Sequence, residues 1–309
     1  MSKKKELNLY DLFKINKPNI TDNSINKYKQ SLIKLNDNNN VFYNLDFLLK
    51  PETILNKIGN YKPSTIRNII SAICSLLNFY KDTNKKFIKP YEQYFILLKE
   101  YNNKSKEDIK DNDNDPNKWI TEEEIKTKYD DLYKVIQYIG DNKTINKDTY
   151  NKLLQLIILS LYYKQPPRRN IDYSLMKVVK KYTNDLDNNF NYLDLKNKKF
   201  IFNVYKTANT YDKQVIDINE ELYNNILFYL KYNKNQEGYL LSNYNNTPFN
   251  NGFSINRILT KIFNKNVGAT QLRKIYLSSK YSNMQNELNK DVEAMGTSTD
   301  VAINTYIKK

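Results

Sequence analysis

The chain contains no histidine and only one cysteine, Cys74. Without imidazole and with one thiol, a zinc site has almost no ligands to draw on. Ser-His and Cys-His nucleophilic schemes and every histidine general base are excluded as well. A lone cysteine rules out a disulfide framework and fits a reducing compartment. No run of about twenty apolar residues is present, and no charged-then-apolar leader with a cleavage site, so neither a membrane span nor secretion is expected. Any catalysis has to use Lys, Arg, Tyr, carboxylates and hydroxyls, and no metal or cofactor is expected.

What is present is basic. The 309 residues carry 49 Lys and Arg against 34 Asp and Glu, a net charge of +15. That balance suggests an anionic partner, most commonly nucleic acid, although a Lys-, Asn-, Ile- and Tyr-rich chain also arises from AT-rich coding sequence. A hydrophobic fraction of 40% can fill two cores in a chain of this length.

The periodicity reads as helical through the first third. Ile25, Tyr28, Leu32 and Leu35 share one helix face. A second helix follows Pro63, capped by Ser64 or Thr65, with Ile66, Ile69, Ile70, Ile73, Leu76, Leu77 and Tyr80 inward. Tyr91, Tyr94, Phe95 and Leu98 mark another. The segment Asp111-Asn112-Asp113-Asn114-Asp115-Pro116-Asn117 has no apolar residue and reads as a linker. The expected layout is a helical domain over 1–110, a linker over 111–118 and a second domain over 119–309.

Beyond the linker, Thr121-Glu122-Glu123-Glu124 starts a helix with acidic residues in its first turn. Residues 150–163 form a strongly apolar helix that stops at Pro166-Pro167. Residues 192–195, 199–205 and 214–218 read as three short strands, with turns at Lys196-Asn197 and around Asn209. Helices return from Asn219 onward. The fold class is therefore mainly α, with a small three-stranded antiparallel sheet in the second domain.

Five elements fall into a recognisable order. Met295-Gly296-Thr297-Ser298-Thr299, followed by Asn304-Thr305-Tyr306, resembles the terminal box of tyrosine recombinases, the phage-type integrases and their relatives. Thr270-Gln271-Leu272-Arg273 resembles that family's second-arginine box, and Arg169-Asn170-Ile171-Asp172 its first. Lys206-Thr207, at the end of the second strand, resembles its β-hairpin lysine. Residues 64–80 resemble a helix of its core-binding domain. Thr297 and Tyr306 are nine residues apart, and Arg273 and Thr297 twenty-four, as the family has them. The Pro166-Pro167-Arg168-Arg169 run and the AT-rich composition further resemble recombinases of large DNA viruses and virophages.

The resemblance implies a helical, SAM-like core-binding domain and an α+β catalytic domain closing as a clamp on double-stranded DNA. It further implies four protomers on two sites and an intracellular, DNA-associated location. By the same resemblance Arg169 and Arg273 hold the scissile phosphate bidentately. Tyr306 is the nucleophile that forms a 3′-phosphotyrosyl intermediate, and Lys206 protonates the leaving 5′ oxygen. From the residues alone, Arg168 competes with Arg169, which is preferred because the acidic Asp172 follows it by three positions, and Lys213 competes with Lys206. Arg67 is either a DNA-phosphate contact or an ordinary exposed helix residue.

The family has histidine at the position of Thr270, and histidine or tryptophan at that of Thr297. A threonine hydroxyl can donate to a phosphate oxygen but cannot take a proton from tyrosine near neutral pH. The resemblance thus implies a slow strand transferase whose proton acceptor is unidentified. Two rivals share these residues: a type IB topoisomerase-like enzyme that relaxes DNA as a monomer, and a DNA-binding relative of the same fold without catalysis.

Overall fold

A computed structural model describes residues 6–113, 119–140, 142, 144–235 and 238–307, with the side chains of 109–113 excepted. They fall into two compact units that divide between Asn114 and Asp115.

The first unit is built from α1 (Leu9–Asn16), α2 (Asp22–Leu35), α3 (Pro51–Ile58), α4 (Pro63–Tyr80) and α5 (Ile88–Asp113). Pro63 is itself the first helical residue of α4, where its missing N–H costs nothing. Ser64 and Thr65 therefore lie inside the first turn rather than capping it, and no side chain caps α4. The expected apolar face is inward: Ile66, Ile69, Ile70, Ile73, Leu76 and Leu77 are all buried, against Ile25, Leu32 and Leu35 of α2 among others. Cys74 joins this core, and burial pushes its thiol up to about 12, so it stays protonated and inert. Helix α5 continues to Asp113, three residues into the segment expected to be a linker. An i,i+4 pair, Lys104 Nζ to Glu100 Oε1 at 2.6 Å, supports its later turns. Residues 114–118 of that segment lie outside the described residues.

In the second unit α6 (Glu122–Ile139) opens with a complete capping box between Thr121 and Glu124. α7 (Lys147–Tyr163) buries Leu153, Leu154, Leu156, Ile157, Ile158, Leu159 and Leu161, which leaves it almost no polar face. A helix apolar all round must sit at the centre of its unit, and the rest of the core gathers on α7. Pro166 and Pro167 cannot continue it, and the chain restarts as the one-turn helix α8 (Asn170–Ser174).

The sheet has four strands, not three, and is mixed rather than antiparallel. β1 (Lys177–Val179) lies parallel to β2 (Tyr192–Asp194), while β3 (Lys199–Phe202) and β4 (Gln214–Asp217) continue it antiparallel in the order β1-β2-β3-β4. β1 escapes sequence reading because three half-buried residues, Lys177 to Val179, show no alternation. β3 ends at Phe202, earlier than expected, because the Asn191 side chain takes over both backbone groups of Val204. Val204 N donates to Asn191 Oδ1 at 2.8 Å, and Asn191 Nδ2 donates to Val204 O at 2.9 Å. The connection to β4 is not a tight turn around Asn209 but carries the short helix α9 (Ala208–Tyr211), closed by Tyr205 Oη donating to Asp212 O at 2.6 Å.

α10 (Glu220–Leu230), α11 (Gly252–Phe263) and the 26-residue α12 (Ala269–Ala294) follow, then α13 (Thr299–Val301) and a π turn over Ala302–Tyr306. Among the described residues no helix is long and apolar enough to cross a membrane.

Phe200 is fully buried between Tyr173 and Phe202, at centroid distances of 5.8 Å to each. Replacing Phe200 by Ala should destabilise the second unit by about 3–5 kcal/mol, read as a lower urea midpoint. Ile96→Ala on the exposed face of α5 should stay within about 0.5 kcal/mol of the parent.

Candidate functional site

Two consecutive arginines after Pro167 meet opposite fates. Arg168 is drawn inward. Its Nε donates to Asp172 Oδ2 at 2.9 Å, its Nη1 donates to Gln214 Oε1 at 2.7 Å, and its guanidinium lies 3.8 Å from the Phe202 ring centroid. It thereby ties α8 to β3 and β4. Arg169 occupies the N-cap of α8 and forms no ion pair among the described residues. The acidic partner three residues on, which made Arg169 the preferred phosphate ligand from sequence, in fact pairs with Arg168. The reason for the preference fails, while the placement of Arg169 is open to an anion.

Arg169 lines a cleft of about 320 Å³ together with Thr270 and Arg273. Both arginines also line a neighbouring cleft of about 280 Å³, so they stand on the boundary between the two. The residues are 104 positions apart in the chain and come together because α12 begins against α8 and α11. Thr270 and Arg273 both lie in the first turns of α12, whose N-cap, Gly268, supplies no capping side chain. The Thr270 N–H therefore has no intrahelical acceptor, and the positive end of the helix dipole faces the same cleft. A helix start beside two guanidiniums is an anion-binding arrangement.

The geometry depends on residues that sequence reading missed. Tyr162 Oη donates to Asn170 Oδ1. Asn170 Nδ2 donates to Gly252 O at 2.8 Å and to Asn256 Oδ1 at 2.7 Å, and Asn256 Oδ1 also accepts from Ala269 N at 3.4 Å. This chain of polar contacts joins α7, α8, α11 and the first residue of α12. Burial pushes the Tyr162 phenol well above its ordinary range, so it remains a donor. Gly252 and Gly268 are required sterically: a Cβ on either would lie 2.8 Å from the asparagine side chain it faces. No motif announces these asparagines in a chain so rich in them.

The other expected site residues lie apart. Lys206 is exposed in the β3–β4 connection and lines a separate pocket of about 260 Å³, which shares only Tyr205 with the second arginine cleft. Lys213 reaches Asn184 Oδ1 at 3.3 Å and lies over the Tyr182 ring. Arg67, in the first unit, donates from Nε to Asn102 Oδ1 at 2.7 Å.

Thr297 and Tyr306 line neither cleft. Gly296 at φ +66 ends α12, with Thr297 N donating back to Val292 O at 2.9 Å, and Ser298 caps α13. Thr299 Oγ1 donates to Asn289 Oδ1 at 2.9 Å, which anchors the terminal segment beside the far end of α12. Asn289 lies roughly 24 Å along the axis from Arg273 at 1.5 Å per helical residue. Tyr306 is 59% exposed.

A roomier cavity of about 500 Å³, which includes residues of α6, α7 and α11, holds none of these residues. One of its lysines, Lys134, is already paired with Asp131 at 2.8 Å, so size alone does not make it the better site. Among the described residues no cluster of potential metal ligands occurs. Comparison with family models, with curated proteins and with solved structures returns no match.

Asp172 is almost fully buried, and burial raises its pKa against the pull of Arg168. Its ionised form is thus the costly one in the fold, and its contribution to stability is lost as pH rises from about 4 through its raised value. The unfolding free energy of the parent minus that of Asp172→Asn, read from urea unfolding at each pH, should decline across the acid range. Asp172→Ala leaves Arg168 buried without its counter-charge and should cost about 3 kcal/mol, whereas Arg169→Ala should cost under about 0.5 kcal/mol.

Proposed function

We propose that this protein is a DNA strand transferase of the tyrosine recombinase type. The observation that carries the reading is the convergence of Arg169 and Arg273, far apart in sequence, on one cleft at the start of α12. Two guanidiniums, a helix N-terminus and a threonine hydroxyl would bind a phosphodiester and neutralise the charge that builds on its non-bridging oxygens during attack. Both arginines stay charged at any working pH. The net charge of +15 supports a polyanionic substrate and predicts affinity that falls steeply with salt.

In this reading the Tyr306 oxygen bonds to the phosphorus as the bond to the 5′ oxygen breaks, the phenol proton leaves to water, and Lys206 protonates the departing 5′ oxygen. Bringing Tyr306 to the cleft requires the terminal segment of the chain, or that of another copy in a multimer on DNA, to move onto it, and Lys206 has to reach across from the β3–β4 connection. A second reading is favoured by one specific fact, that Thr297 and Tyr306 stand outside the cleft in a chain without histidine. It makes the protein a DNA-binding relative that holds phosphate without cutting.

Incubation with nicked duplexes and supercoiled plasmid, followed by denaturing electrophoresis, tests both. The strand-transfer reading expects a protein–DNA adduct that disappears with Tyr306→Phe and drops by at least about 100-fold with Arg169→Ala or Arg273→Ala. DNA binding should survive Tyr306→Phe. An adduct that persists without Tyr306 overturns it, as does DNA affinity indifferent to both arginines. Arginine-dependent binding with no adduct in the parent supports the second reading instead.

A further inference from the structure

The arginine cleft has a third wall that neither arginine box supplies, the first turn of α11. Asn256 and Phe253 project from it one helical turn apart, and both line the cleft. Their chemistry differs, and together they describe a nucleotide more fully than a bare phosphate.

The orientation of the Asn256 amide is fixed by its neighbours. Gly252 O can only accept, so Asn170 must turn its Nδ2 toward it at 2.8 Å, and the same nitrogen then donates to Asn256 at 2.7 Å. Ala269 N also donates to that side of Asn256, at 3.4 Å. Two donors converge on one atom, which must therefore be Oδ1. Asn256 Nδ2 is left with no acceptor among the described residues, on a residue that lines the cleft. Its two hydrogens add to the donors already facing an anion there.

Phe253 presents the opposite surface. It is 72% exposed, the Asn251 side chain holds its N–H at 3.0 Å, and it lines the same cleft as Arg169 and Arg273. A large aromatic ring left in water next to a phosphate site offers a stacking face for a base, and such stacking is indifferent to base identity. A base can reach it only if it is unpaired from its neighbour.

We infer that the first turn of α11 is a nucleotide-binding edge: Asn256 Nδ2 donates to the phosphate held by Arg169 and Arg273, and the Phe253 ring stacks on an unstacked base flanking it. This rests on the phosphodiester-binding reading above and adds the substrate class, DNA with an interrupted or opened strand in preference to continuous duplex.

Fluorescence anisotropy with short labelled duplexes, either intact or carrying a one-nucleotide gap, tests it. Phe253→Ala should weaken binding of the gapped duplex by roughly 5- to 100-fold and leave the intact duplex unchanged, while Phe253→Trp retains the preference. Asn256→Ala should weaken binding of both DNAs by about 10-fold. Asn256→Asp serves as the control, because a carboxylate oxygen still accepts from Asn170 Nδ2 and Ala269 N while the donor facing the cleft is lost, and it should weaken binding at least as much as Asn256→Ala. Equal effects of Phe253→Ala on the two duplexes, or none on either, overturn the stacking edge. Binding restored by Asn256→Asp above the level of Asn256→Ala overturns the donor role. Arg169→Ala and Arg273→Ala on the same DNAs separate the levels. If they lose binding while the α11 variants do not, only this inference falls; if they bind as the parent does, the phosphodiester reading falls with it.

Discussion

The hydrogen bond from Asn170 Nδ2 to Asn256 Oδ1 is the contact on which the arrangement of the second unit's cleft depends. Helix α8 is a single turn and cannot hold its own direction, since one turn fixes many dihedrals for very few bonds. Its orientation comes from outside, from Tyr162 behind and Asn256 in front. Asn256 passes the constraint on to Ala269 N, the first helical residue of α12. Arg169 precedes this linkage by one residue and Arg273 follows it by four, so one polar chain sets where both guanidiniums stand. Polar chains of this kind are strongly directional, and a gap in one leaves desolvated partners behind.

The Arg168–Asp172 pair does different work beside it. With side-chain exposures of 15% and 2%, the two groups have given up most of their hydration, and the raised pKa of Asp172 shows that burial outweighs the attraction of its partner. Such a pair adds little net stability but cannot lose one member cheaply. What it secures is position: Arg168, stacked on Phe202 and bonded to Gln214, pins α8 to the sheet. Neither Arg169 nor Arg273 forms an ion pair among the described residues, and both stand on the boundary between the clefts. Two cations lining one cleft without an ion-pair partner favour an anion there, which makes the site selective for charge before any shape is read.

Much of the scaffold was legible in the sequence because it obeys simple periodicities. The α4 face, the Thr121 capping box and the apolar α7 ending at a proline pair are all local signals, and each occurs where the pattern places it. β1 was not legible, because a three-residue strand takes its identity from its partner, β2. The early end of β3 depends on Asn191, eleven residues before its last residue, and no local rule reaches that far. In the site, Arg273 and Thr270 could be singled out because they lie together in one short motif that resembles the second-arginine box. Asn170 and Asn256 could not, since their role exists only once α8, α11 and α12 are together. The Arg168–Arg169 choice shows the limit well: spacing to Asp172 suggested a partner for Arg169, but the N-cap conformation of Arg169 turns Arg168 toward the carboxylate instead.

The terminal box carries the least independent weight, for a physical reason. Gly296 is explained by the left-handed residue that ends α12, and Ser298 by the cap of α13, so the Gly-Thr-Ser order follows from helix punctuation alone. Punctuation of that kind arises in any two helices joined by a short turn. It says nothing about a nucleophile, and Tyr306 sits in solvent beyond it. The cleft is different in kind. Capping, packing and burial account for Arg168, yet none of them requires Arg169 and Arg273 to share an open space at a helix start. A chain gains no stability from bringing two cations to one cleft, so their convergence calls for a ligand in a way that the terminal motif does not. The proposed function therefore rests on the cleft shared by Arg169 and Arg273, and Tyr306 enters it only through what a phosphodiester bound there would need to be attacked.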